Sequence, residues 1–188
     1  MILAPLLILS ALGWAGAEIA MLATGGVGAV PGTVATLALF LLGAGIFAAR
    51  SEPDMVRAGR VGIVMTAFAA LSYGMVMIIV LTSGTLGAIA AGEIGYGDVV
   101  LTPFYLLALV FLEAGLIGFA VHFAKAASAP RWLARGFAAL AIAHAVRLFI
   151  PGVFWWHAAA NIALALMLAY LGLRALDRVR RQSVLRKR

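Results

Sequence analysis

The stretch ARGFAALAIAHAVRLFIPGVFWWHAAANIALALMLAYLGL, residues 134–173, decides how this chain folds. It holds two basic residues and no acid across a length that, as one helix, would cross about 30 Å of hydrocarbon twice over. Pro151-Gly152 interrupts it. Proline cannot continue a helix and glycine weakens one, so the stretch reads as two spans joined by a tight turn.

The same reading extends outward. Four further apolar runs precede this pair, giving expected spans at about 2–23, 32–49, 61–82, 103–124, 134–150 and 153–173. Gly25-Gly26-Val27-Gly28 with Pro31-Gly32 supplies the first turn, and Arg50 to Arg60 the second. The predicted fold is all-α, a polytopic bundle of six transmembrane helices over 1–173 followed by a basic cytoplasmic tail over 174–188. Met1 to Ala17 lacks the basic n-region of a secretory signal and reads as a retained first helix.

Composition agrees with this reading. Of 188 residues, 65% are hydrophobic and 11% charged, with a mean hydropathy of +1.11, more apolar surface than a soluble domain this size can hide. The net charge of +7 does not imply nucleic acid, because seven of the fourteen basic residues crowd into Arg174 to Arg188, directly after an apolar helix. Such clusters are drawn to anionic lipid. Arg50, Arg57 and Arg60 lie in the second loop and Lys125, Arg131 and Arg135 flank the fourth, while the first and third loops carry no Lys or Arg. The positive-inside rule then sets both termini in the cytoplasm, with the inner (plasma) membrane as the location. Cysteine is absent, so disulfides and thiolate chemistry are excluded.

Two features concern packing. Pro53-x-x-Val56-x-x-Gly59 echoes Pro130-x-x-Leu133-x-x-Gly136, each at the start of a span, which shared helix-starting chemistry explains as well as an internal repeat does. Small residues at helical spacing, Ala11/Ala15 and Gly62/Thr66, permit close helix approach.

Ionisable groups are costly inside a membrane, so Glu18, Glu113, His144, Arg147, His157 and Asn161 are the candidate ligand-binding residues. His144 and Arg147 are three apart, and His157 and Asn161 four apart, so each pair shares a helix face. Folding spans five and six about Pro151-Gly152 brings these faces to similar depth. Glu18 lies about 10 Å below the outer end of span one, at the level of His144. Trp14, Tyr73 and Trp156 complete the expected cluster, while Trp155 with Trp156 also fits an interfacial aromatic belt. His122, nine residues from Glu113 and on the opposite face, is expected to be an ordinary interfacial histidine.

Glu93-Ile94-Gly95-Tyr96-Gly97-Asp98 resembles the Thr-Val-Gly-Tyr-Gly-Asp filter of potassium channels, which implies carbonyl oxygens that replace an ion's hydration shell. Glu93 stands where the filter has Thr, and Gly84, Gly87 and Gly92 make a poor pore helix, so we read a glycine-rich outer turn.

The function expected from these residues is binding and translocation of a small solute or ion, without an enzymatic signature. Alternatives are a haem- or quinone-binding redox subunit, with His144 and His157 as axial ligands of a b-type haem, and a non-catalytic membrane partner subunit. Expected partners are anionic lipid at the tail, a small-molecule or ion ligand, and, as an option, further copies of the chain.

Overall fold

A computed structural model describes residues 2–82, 103–146 and 154–185. It contains six α-helices: α1 (Leu3–Thr24), α2 (Ala29–Gly45), α3 (Arg57–Thr82), α4 (Pro103–Lys125), α5 (Arg131–Val146) and α6 (Phe154–Leu185). A short 3-10 helix, Ile46–Ser51, extends α2. No strand occurs among the described residues. The Pro151-Gly152 turn and the Glu93–Asp98 segment lie outside the described residues.

Five of these helices are long and apolar enough to cross a membrane; α5, with 16 described residues, falls short of that length. Their surfaces explain why ordinary amphipathic patterning is missing. Large apolar side chains face outward at Leu9, Val30, Leu37, Val110 and Ile142. Leu7, Leu42, Ile63, Leu116 and Leu171 are fully enclosed. Helices apolar on both faces suit a solvent that is itself apolar.

Local chemistry sets the turns. α1 stops where Gly25 takes a left-handed φ of 73°, and the Gly25 and Gly26 N–H groups donate to Leu22 and Met21 carbonyls at 3.3 and 3.0 Å. Those bonds satisfy carbonyls that the helix end would otherwise orphan. α2 then starts from extended Gly28 with Pro31 in its first turn, where a missing N–H costs nothing.

Each helix packs on the next in sequence, and α6 returns to pack along α1. The α3–α4 contact is the tightest that the glycines report. A Cβ on Gly118 would come within 2.7 Å of the Ala58 carbonyl oxygen and 2.8 Å of Gly62 Cα. Backbones touch there because the side chains are missing, as close helix packing in an apolar solvent requires. Phe119, Phe123 and Phe137 fill the α4–α5 contact, with ring centroids 5.0 to 6.3 Å apart. α6 does not break at residue 173. Its helix runs on to Leu185, so most of the basic segment is helical.

Candidate functional site

Trp14 and Glu18 are one turn apart on the inward face of α1 that also buries Ala11 and Met21. The Trp14 indole N–H donates to Glu18 Oε1 at 3.0 Å. From α6, Asn161 Nδ2 donates to the same oxygen at 2.7 Å. Two donors thus converge on one carboxyl oxygen at a position only 8% exposed. Glu18 lies six residues before the end of α1, and Asn161 seven after the start of α6, so the contact sits about 10 Å inside this end of the bundle.

This pair borders a cavity of about 60 Å³, walled also by Tyr73 from α3, Tyr105 from α4 and His157 from α6. The two tyrosine rings meet edge to face at 5.7 Å. That volume suits one small solute, an ion or a few waters. Organic cofactors and other drug-sized ligands need about 300 Å³ or more, so a haem macrocycle does not fit this space. Asn161 Oδ1 is buried and receives no hydrogen bond from the described residues. A second cavity of about 10 Å³ continues inward, sharing Trp14, Leu39 and Tyr73 and reaching Thr66, Leu164 and Leu168.

Five of the residues singled out from sequence, Trp14, Glu18, Tyr73, His157 and Asn161, thus meet around one cavity. The others are placed elsewhere. Glu113 is half-buried on α4, and His144 fully buried on α5; neither borders this cavity, so His144 does not join His157 on its wall. Trp156 turns its indole N–H to the Ala143 carbonyl at 3.1 Å, pinning the start of α6 to α5. Trp155 is 62% exposed and packs edge-on against Trp156, as a belt residue would. Arg147 lies outside the described residues. Among the described residues no cluster of three His, Asp or Glu side chains is arranged to hold a metal.

His122 lies in the last turn of α4, near the helix end as expected, but is fully buried, its ring tilted against Phe123 with centroids 4.7 Å apart. Gly59 makes the room, since a Cβ there would lie 2.8 Å from His122 Cγ.

A second charged group, unanticipated from sequence, closes the opposite end. Glu52 follows the 3-10 helix and is 5% exposed. Arg174 grips it with both prongs, Nε to Oε1 at 3.0 Å and Nη2 to Oε2 at 3.1 Å. Arg178, one turn further along α6, adds a bond to Oε2 and donates Nη1 to the Ser51 carbonyl at 3.0 Å. Burial alone would raise the Glu52 carboxyl, but the hydrogen bonds and charges of the two arginines outweigh it and hold it below its ordinary value of 4.5. The four-residue spacing of Arg174 and Arg178 puts both on one face of α6, but nothing in the sequence ties that face to Glu52. Tyr105 was also missed, because one aromatic near a helix start is unremarkable.

No protein-family model matches the chain, and neither a curated protein nor a solved structure matches it.

Proposed function

We propose that this chain is an inner-membrane protein with cytoplasmic termini that binds, and carries across the bilayer, a small cation or a small solute rich in hydrogen-bond donors. The observation that supports this most is the Glu18–Asn161 pair at the cavity wall. The Asn161 amide is committed as a donor to Glu18, which turns its undonated Oδ1 into a second acceptor. Trp14, Tyr73 and Tyr105 add aromatic rings to the wall, and rings can favour positive charge. The Glu18 carboxyl and Asn161 Oδ1 reward a ligand that brings protons or positive charge over an anion. A buried carboxyl inside an apolar bundle costs stability, and a ligand that uses it explains its presence better than packing does.

Thermal unfolding of the purified full chain tests the reading. The panel is sodium, potassium, ammonium, methylammonium, guanidinium and glycerol, with acetate and phosphate as controls. A cationic or donor-rich member should raise the melting temperature saturably, with about 2.7 kcal/mol of stabilisation at a hundredfold excess over Kd. Glu18→Gln, still melting cooperatively, should lose the effect. Stabilisation by acetate or phosphate instead, or a full effect in Glu18→Gln, would overturn it.

A further inference from the structure

The end of the bundle remote from Glu18 carries a groove of about 190 Å³, walled by Leu3 and Ala4 of α1, Phe47, Ala48 and Ser51 of the 3-10 helix, and Val179 of α6. Ala4 and Glu18 are fourteen residues apart on one helix, about 21 Å along its axis, so groove and cavity are separate sites. The walls are apolar, yet two guanidinium groups are fixed to them. Arg50 lies over the Phe47 ring, 4.6 Å from its centroid. Arg178 is held by the Ser51 carbonyl at 3.0 Å.

Charge at this rim is unbalanced. Arg174 and Arg178 share the single buried carboxylate of Glu52, and Arg50 lies over Phe47 beside them. Asp177, on the same stretch of α6, is occupied by Arg181 at 2.8 Å, and exposed Asp54 offsets only one of the remaining positive charges. The rim therefore stays cationic. An apolar trough with a cationic lip matches a ligand having an acyl chain and an anionic head. Free phosphate would use the lip and gain nothing from Leu3, Phe47 or Val179, while a zwitterionic lipid would fill the trough and gain little from the lip.

We propose that this groove is a binding site for one anionic phospholipid, its chain along the Leu3–Phe47–Val179 wall and its phosphate against Arg50. Arg50 is exposed and makes no ion pair among the described residues, so its charge is available to the head group. Holding Arg50 flat on Phe47 fixes the guanidinium at the mouth of the trough, which lowers the cost of ordering it on binding.

Native mass spectrometry of the full chain in detergent provides the test, with dioleoylphosphatidylglycerol, dioleoylphosphatidylcholine and inorganic phosphate titrated separately. Phosphatidylglycerol should form a saturable one-to-one adduct, and Arg50→Gln should weaken it about fivefold, the worth of one basic residue near an anionic head group. Val179→Trp, which fills the trough, should lower phosphatidylglycerol occupancy toward that of inorganic phosphate and abolish the phosphatidylcholine adduct. Arg50→Gln sits on an exposed side chain and carries the test if Val179→Trp fails to fold. Equal affinity for the two lipids, an unchanged adduct in Arg50→Gln, or phosphate that binds as tightly as the lipid would each overturn the proposal.

Discussion

Arg174→Met should destabilise the protein far more than loss of the exposed Arg181–Asp177 pairing on α6. The substitution keeps an unbranched stem of similar length and deletes the guanidinium that donates twice to Glu52. The Glu52 side chain is 2% exposed and that of Arg174 16%, so water can replace little of what is lost. A hydrogen bond to a charged group contributes about 1.5–3 kcal/mol net, and the two prongs share one carboxylate, so they do not add in full. Removing one partner of a buried pair costs about 3–5 kcal/mol when the remaining charge is left alone. Here Arg178 still holds Glu52, which places the expected loss at about 2–3 kcal/mol.

The internal control is Arg181→Met. Its pair with Asp177 is 77% and 58% exposed and contributes about 0.3 kcal/mol. Equilibrium unfolding in mixed micelles compares the two on one scale. The Glu52 carboxyl lies below 4.5 when folded, so its stabilisation is complete above that value and lost as pH falls through the folded one. Wild type should therefore lose stability below about pH 4.5, and Arg174→Met should lose less over the same window. Equal losses in Arg174→Met and Arg181→Met would refute the assignment of Glu52 as a buried clamp between the 3-10 helix and α6.

Gly118→Ala places a Cβ against backbone atoms of Ala58 and Gly62 that cannot yield, and should cost about 1–3 kcal/mol by the same unfolding assay. Gly16→Ala, with nothing within 4 Å, should be neutral or stabilising by up to about 1 kcal/mol. A cytoplasmic reporter fused after the last residue should be active and a periplasm-only reporter silent; the opposite pattern would invert the proposed topology.

Helix placement was legible from the length and spacing of the apolar runs. The runs expected at 61–82 and 103–124 appear as Arg57–Thr82 and Pro103–Lys125. The sixth run drifted most, ending at Leu185 rather than 173, and the second helix, expected to reach 49, turns to a tighter 3-10 form after Gly45. Gly45 sits hard against the α1 backbone, where a Cβ would be 2.7 Å from Leu7 N, a contact between distant segments that periodicity does not encode. The Glu18–Asn161 contact was half-legible. Counting rise per residue gave both their depth, yet not that α6 lies along α1. Glu52 was opaque for a related reason: beside Arg50 and Arg57 it looks like a solvated loop acid, and only the fold carries α6 far enough to cover it. His122 keeps its expected depth near the end of α4, but its burial was not legible, because Gly59 opens space that no single-helix argument sees.

The central claim, that the Glu18 cavity is occupied by a cationic or donor-rich ligand, is tested most directly at Trp14, whose indole bonds Glu18 at 3.0 Å and borders the cavity. Replacing Trp132, Trp155 and Trp156 by Phe leaves Trp14 as the sole tryptophan. Its emission should change saturably as a small cation from the panel is titrated, and should stay flat with acetate. Adding Glu18→Gln to that protein should abolish the response while the unfolding transition stays cooperative. A flat response to every cation, or a saturable one that survives Glu18→Gln, would contradict the account.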